Sequence, residues 1–582
     1  MKRKRIWILV TTLSLGGITA PASAQQTSEA RIQELIRVAA ARIASGQDVP
    51  PGQNAGVQTP SAPDTRPVAR LSLDDAVKLA LDRNLDIAVQ RLNPQINDIA
   101  IASLQSIYHP TLTSQVFSSS RANPATNTIA GSSVAGSSID TNLTTYNGGV
   151  AQSFPWGGGN LSVALNNNRQ TSTAQTSLFN PVYNTNWSGT YTQPLLRGFK
   201  TDATRQQIQV TKINRDISDI QLKSSITNTL SNVRNAYWDF VYAVQSVDVA
   251  RQSLSLASKL VQDNQTRVQV GTMAPIDVVS AQSEQATRAQ NLVTAESARR
   301  TTELALKRLI VGGADDANWG AALEPTDRPD FQPVEIDLEA AVRRALGDRT
   351  DMEIAKKNVS ANDVTLRYLN NQTLPQVDLQ ATYGLIGLGG SQLITEGTGV
   401  NRTVVGSLPG GYGDALGSLF RSNFPAWTVQ MNFSYPIGLS SQQAAVARAR
   451  VQLNQVQAQL KQVELQIATE VTNAAIQARN NAEAVQASQA SRELAQRKLE
   501  AEQSKFEVGM STNYFVVQAQ RDLSDAQNSE LRAVLNYRKA LVEMERVQST
   551  TLQSLSITIL NGGGGLGNAV ATSASVTGGT TR

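Results

Sequence analysis

The chain has 582 residues, 40% of them hydrophobic and 17% charged, with one histidine and no cysteine. Without cysteine there are no disulfides, no thiolate metal sites and no thiol to carry a lipid. The formal charge of +5 falls to about +1 once Lys2, Arg3, Lys4 and Arg5 are set aside; a nearly neutral chain has no basic surface to track a phosphate backbone, which excludes nucleic acid as a partner.

Those four cations open a secretory signal, residues 1–24, with an apolar run from Ile6 to Ile18 and a small-residue cleavage site at Ala22-Ser23-Ala24. The run is shorter than the roughly 20 residues of a spanning helix, so export with cleavage is expected rather than anchoring. Residues 25–66 read as a flexible extension: a short amphipathic helix over Ser28 to Ser45, then a Pro/Gly/Gln/Ser linker. No later apolar run reaches spanning length, leaving periplasm, medium or a β-type membrane anchor.

From Leu73 the chain is duplicated. Leu73-Asp74-Asp75-Ala76-Val77 returns as Leu338-Glu339-Ala340-Ala341-Val342, Tyr191-Thr192-Gln193-Pro194 as Phe433-Ser434-Tyr435-Pro436, and Val270-Gly271 as Val508-Gly509. The repeat is far longer than a solenoid unit of roughly 20–50 residues. The halves are set at 67–325 and 326–556, with Gly312-Gly313 and Glu324 to Pro333 at the seam, and residues 557–582 form a Gly/Ser/Thr-rich tail expected to be disordered.

Each half reads helix, strands, very long helix, turn, helix. Helices of about 35 residues are predicted over Leu73–Tyr108, Ile276–Ile310, Leu338–Leu374 and Tyr514–Thr550. The long ones, Thr201–Val270 and Ser441–Val508, carry apolar residues at alternating steps of four and three. Ile226, Leu230, Val233, Tyr237, Phe240, Val244 and Val247 form one seam and Leu453, Val456, Leu460, Val463 and Ile467 the other, a coiled-coil pattern. Thr201-Asp202 and Ser440-Ser441 supply the expected N-cap oxygens at their starts. At about 1.5 Å per residue each long helix spans roughly 100 Å, so two half-length helices stacked end to end match one long one.

Between helices the period changes to two. Trp427, Val429, Met431, Phe433 and Tyr435 alternate with polar residues, as do Val377, Leu379, Ala381, Tyr383 and Leu385, and in the first half Leu161, Val163 and Leu165. This fits strands with a lipid face and a lumen face, or a half-buried soluble sheet; export tilts the reading to the barrel. The second half offers two strands and the first two to four, against about eight for the smallest membrane barrel. Open edges cannot face lipid, so the chain is expected to oligomerise around an axis.

The duplication, the strand exits YTQPLLRG (191–198) and FSYPIG (433–438), and the turns VGTMAPIDVVSAQ (270–282) and VGMSTNYFVVQAQRDL (508–523) together resemble the TolC family of outer-membrane efflux and secretion channels, over about residues 70–555. The resemblance implies a mainly α fold with membrane β: an α-helical coiled-coil tunnel topped by a twelve-stranded β-barrel shared between three subunits. It implies a homotrimer in outer-membrane lipid, a periplasmic adaptor protein and an inner-membrane pump as partners, and no cofactor. Gly271, Thr272, Met273, Asp277, Gly509, Met510, Ser511 and Asn513 would form the adaptor-contacting periplasmic tips, and Pro194 and Pro436 the strand-to-helix switches. Where family members place two carboxylates in a constriction, this chain has Phe515 and Gln518, which implies a gate that closes by dewetting. Asp277 stands at the family's acidic tip position and is equally read as an N-cap for the following helix. The first half is longer between its prolines, and the excess, Tyr146 to Arg169 with a turn at Phe154–Gly159, is expected to be an extracellular elaboration rather than two further strands.

Catalytic chemistry has no foothold. His109 precedes Pro110 with no partner for a triad or metal site, and Gly157-Gly158-Gly159 lacks the Lys and Ser of a phosphate loop. Carboxylates sit beside Arg and Lys on helical faces, as at Arg492-Glu493 and Glu543–Arg546, as solvated pairs. The expected function is a passive outer-membrane duct; a secreted or periplasmic structural coiled-coil protein is the alternative, and an enzyme is not expected.

Overall fold

The structure, a computed structural model, describes residues 66–557 apart from 126–137, 175, 329, 398–401 and 439. The expected signal, most of the extension and nearly all of the tail lie outside the described residues.

A short strand, β1 (Val68–Leu71), leads into three helical segments, α1 (Leu73–Arg83), α2 (Leu85–Gln90) and α3 (Leu92–Gln105). Four strands follow: β2 (Thr111–Pro124), β3 (Ser138–Ser153), β4 (Asn160–Ser172) and β5 (Phe179–Pro194). Then come the long α4 (Ala203–Gln269) and its return helix α5 (Pro275–Ile310), a helical turn α6 (Ala317–Gly320) and strand β6 (Ala322–Pro325). The second half repeats the plan with α7 (Leu338–Asp348), α8 (Thr350–Gln372), β7 (Gln376–Glu396), β8 (Thr403–Leu408), α9 (Tyr412–Phe420), β9 (Phe424–Ser434), α10 (Ser441–Glu507), α11 (Asn513–Val547) and α12 (Thr551–Ser554).

The long helices each run 67 residues and begin where their caps predict: Asp202 accepts from the Arg205 amide at 2.7 Å and Ser440 from the Gln443 amide at 3.2 Å. Helix α4 buries its predicted seam, with Leu230, Val233, Tyr237 and Phe240 fully enclosed. Its upper part packs on α1–α3, where Asn97 donates to Ser218 at 2.7 Å, and its lower part on α5, where Gln285 donates to Ser258 at 3.0 Å. Thus two half-length partners do stack along one long helix. The seam of α10 is shallower: Ile467 is buried, while Leu453, Val456, Leu460 and Val463 remain half-buried.

The upper half-length helices are not continuous, contrary to the expectation. The first is interrupted at Asn84, whose side chain accepts from the amides of Asp86 and Ile87 and starts a new helix. The second is interrupted at Arg349, which turns extended (ψ 134°) and pairs with Asp351 at 2.6 Å and Glu470 at 2.7 Å. The two breaks keep the repeat offset of Leu73 and Leu338. Side-chain bonding to nearby backbone offers the chain an alternative to the helical ladder, and tertiary partners fix it there.

A parallel pair, β1 with β6, ties the start of the first half to its end. Around it lies the main core: Leu71, Leu323, Ala76, Ala80, Leu306 and Ile310 pack against Val233, Tyr237 and Phe240 of α4. The Tyr237 hydroxyl donates to Asp327 at 2.6 Å, and the same carboxylate accepts from the Leu73 amide at 2.7 Å. Of the expected solvated pairs, Glu543–Arg546 forms at 2.6 Å, whereas Arg492 reaches across to Glu530 of α11 at 2.6 Å rather than to Glu493.

The remaining strands form one antiparallel sheet in the order β2-β3-β4-β5-β7, with β8 and β9 following each other along the far edge of β7. The segment expected to be an extracellular elaboration is integral to this sheet, because β3 pairs with β2 over fourteen positions and β4 with β5 over eleven. Its turn lies at the helical end: Gln193 donates to the Gly157 carbonyl at 2.7 Å, and Gly158 approaches Gly198, Asp202 and Arg205. Helix α9 interrupts the last descending strand. A Cβ at Gly387 or Gly389 would collide with the Ala415 backbone, so these glycines let α9 lie directly on β7. Tyr412 of α9 donates to Asn167 at 2.8 Å.

Candidate functional site at the helical tips

Both long helices end in the same way. Gly271 and Gly509 each take φ +77°, which costs little without a Cβ. The Gly271 amide donates to the Val268 carbonyl at 3.0 Å and the Thr272 amide to Arg267 at 2.9 Å; Gly509 and Met510 repeat this on Phe506 and Lys505. This is the Schellman arrangement, and it directs the chain back into the return helix. Pro275 opens α5 at a position whose amide has no helical partner in any case.

Asp277 is not the N-cap: that position is Ala274, and Asp277 sits in the first turn of α5, half-buried, its own amide donating to the Ala274 carbonyl at 3.1 Å. Its carbonyl accepts from the side chain of Asn513 at 3.3 Å. Asn513 in turn accepts from Asn264 at 2.9 Å, both side chains almost fully buried. Two predicted tip residues, one from each half, therefore meet directly, and a third that the sequence did not single out, Asn264, fixes Asn513 from the first long helix.

Three more contacts join the hairpins. Arg267 stacks its guanidinium 4.5 Å above the Phe506 ring and donates to the Phe506 carbonyl at 3.3 Å. Glu284 of α5 is buried, pairs with Arg288 at 2.8 Å along its own helix, and receives Arg521 of α11 at 2.5 Å. Burial alone would push the Glu284 carboxyl up, but Arg521 and Arg288 outweigh it and hold it below the ordinary carboxylate range. Met273 packs on the apolar tip cluster of Leu260, Leu499, Phe506, Val516 and Leu523.

Ser511 donates to Glu502 at 2.8 Å, and that carboxyl, also paired with Lys505, is lowered by these two hydrogen bonds. Phe515 is 54% exposed with its ring edge-to-face on Tyr514, while Gln518 donates to Asp522 at 2.7 Å, a carboxylate already paired with Lys498. Thr272 and Met510 are exposed. At the opposite end of the long helices, Pro194 closes β5 and Pro436 follows β9, each succeeded by a glycine in left-handed conformation, Gly198 and Gly438. Asn264 was available to sequence reasoning as a polar residue on the seam that includes Leu260, but Glu284 and Arg521 meet only in the folded chain.

Among the described residues, no group of three acidic or histidine side chains could hold a metal ion, and no helix is long and apolar enough to cross a membrane. Two coiled-coil hairpins, a shared strand-to-helix switch and an amphipathic antiparallel sheet are the parts of a channel subunit. The chain belongs to the outer membrane efflux protein family, whose model matches residues 159–312 and 341–547, a segment of each half and together more than half of the chain. No curated protein matches it by sequence.

Among solved structures, the CmeC outer membrane channel of Campylobacter jejuni is 14% identical with a TM-score of 0.57, over 82% of this chain and 86% of that one. CusC is 14% identical with a TM-score of 0.59, over 85% and 95%. The outer membrane protein VceC of Vibrio cholerae is 13% identical with a TM-score of 0.55, over 82% and 95%. The protein is thus an outer-membrane efflux channel with its helices in the periplasm, and the reading as a structural coiled-coil protein is set aside.

Proposed function

We propose that three copies of this chain form the exit duct of a tripartite efflux or type I secretion system, opened at its periplasmic tips by an adaptor protein and driven by an inner-membrane pump. Small molecules or polypeptides leave through it passively. The observation that carries the assembly is an uncovered apolar seam. Leu85, Val89, Leu92, Ile96 and Ile99 advance along α2 and α3 by alternating fours and threes, and each is more than half exposed. Such a stripe is a coiled-coil face without its partner. Helix α10 exposes Ala447, Val451, Ala458 and Leu465 at compatible steps, a matching face for a neighbouring copy.

The tips are built to be held and released. Asn264–Asn513, Arg267–Phe506 and Glu284–Arg521 tie the second hairpin to the first, while Val270, Ile276, Val508, Met510 and Tyr514 present apolar surface outward. An adaptor that covers those side chains shifts the second hairpin and breaks the ties, because binding moves a two-state element only through contacts that differ between the states. The test is the conductance of purified protein in planar bilayers. Arg521→Ala raises it severalfold over the unaltered channel; equal conductance would remove the Glu284–Arg521 tie from the gate.

A further inference from the structure

The sheet carries more strands than a twelve-stranded barrel allots to one subunit. We propose that β3 and β4 are wall strands facing lipid, and that three copies, each supplying six strand positions, close an eighteen-stranded barrel by pairing β2 of one copy with β9 of the next. The count rests on the trimer proposed above; the placement of β3 and β4 rests on register.

Directly paired residues in an antiparallel sheet share a face. One row across all six positions reads Leu112, Val150, Val163, Gly189, Tyr383 and Trp427. The next row on the opposite face reads Thr111, Ala151, Ser162, Thr190, Thr382 and Thr428. The apolar face therefore extends into the hairpin at Val150 of β3 and at Leu161, Val163 and Leu165 of β4. On β9 the apolar rows from Phe433 to Pro425 span about 27 Å at roughly 3.4 Å per residue, close to the ~25 Å apolar band of an outer-membrane barrel, and the rows of Val429, Trp427 and Pro425 cross β4 at Leu161, Val163 and Leu165. A hairpin standing in water outside the membrane has no need of one apolar face aligned with its neighbours.

The β3–β4 turn supplies the membrane-interface feature on the helical side. Phe154 lies 5.3 Å from Trp156 and 6.3 Å from Tyr191, an aromatic cluster at the level of the strand-to-helix switch, where amphipathic rings belong at a lipid boundary. The hairpin thus runs from that boundary up through the sheet. At the two ends of the sheet, β2 and β9 are exposed almost along their whole length and have no partner on their outer edges among the described residues. Each unpaired backbone group in hydrocarbon costs several kcal/mol, which leaves edge-to-edge closure as the remaining arrangement. Barrel diameter grows roughly linearly with strand number, so the mouth is about half again as wide as a twelve-stranded one and the tips alone limit cargo size.

The chain has no cysteine, so single cysteines report cleanly. Val150→Cys, Val163→Cys and, as a β9 reference, Val429→Cys are labelled with an environment-sensitive fluorophore and reconstituted in vesicles containing spin-labelled lipid. The expected result is quenching at Val150 and Val163 within about twofold of that at Val429, while Ser162→Cys reacts with a charged thiol reagent and is not quenched. Mass photometry of the same preparation gives three copies. Quenching at Val429 without quenching at Val150 and Val163 overturns the proposal and leaves the channel reading standing. Absence of quenching at all three overturns the barrel itself, and a count other than three overturns the number eighteen.

Discussion

Glu284 concentrates the energetics of the tip in one side chain. It is buried between Arg288 and Arg521, and removing one member of a buried pair leaves an uncompensated charge, at roughly 3–5 kcal/mol when burial is complete. Arg521 is half-exposed, so the cost here is smaller and local to the tip. Because the folded-state pKa is depressed, the stabilisation is present above the ordinary carboxylate range and is lost as pH falls through the lowered value. Single-channel conductance is therefore expected to be flat across neutral and mildly acidic pH and to rise only in acid below the ordinary carboxylate range, as the carboxyl protonates. Glu284→Gln shows the raised conductance throughout, with the acid-induced rise removed. Phe515 belongs to the same scale: if three exposed rings close the pore by excluding water, Phe515→Ala and Phe515→Asp both raise conductance in planar bilayers, and unchanged conductance removes Phe515 from the gate. Of the partners of Glu284, Arg288 lies one helical turn further along its own helix, but Arg521 could not be read from the sequence, since it stands 237 positions away.

At the scale of elements, legibility followed repetition and capping. The long helices were readable because their seams alternate over many turns and because Asp202 and Ser440, Gly271 and Gly509 mark their ends with side-chain chemistry that needs no tertiary partner. The breaks at Asn84 and Arg349 were hidden, because each is fixed by contacts from elsewhere, Asn84 to the Leu309 carbonyl and Arg349 to Glu470. Strands β3 and β4 were recognised as a hairpin but misplaced, because period two states that one face is buried without stating by what. Helix α9 was missed altogether: its nine residues include two internal glycines, and only the Gly387–Gly389 surface beneath it gives it a place. Gly387→Val should displace α9, since the new side chain meets Ala415 backbone. Limited proteolysis of the variant is expected to cut within residues 409–423, where the unaltered protein resists; equal resistance would show that α9 does not depend on that contact.

The whole molecule is incomplete as a single chain. Among the described residues its sheet has two open edges, and its upper helices present an apolar stripe to water. A contiguous exposed apolar surface of that kind marks an interface. Leu92→Glu with Ile96→Glu places two carboxylates in the seam and is expected to abolish assembly while leaving the tip core of Leu260, Leu499 and Phe506 untouched; size-exclusion chromatography with light scattering in detergent reads the change. The most direct test of the shared channel is the mass and bilayer affinity of the purified protein. The account predicts a detergent-dependent particle of three copies that inserts into planar bilayers and conducts. A water-soluble monomer with no affinity for bilayers would contradict it.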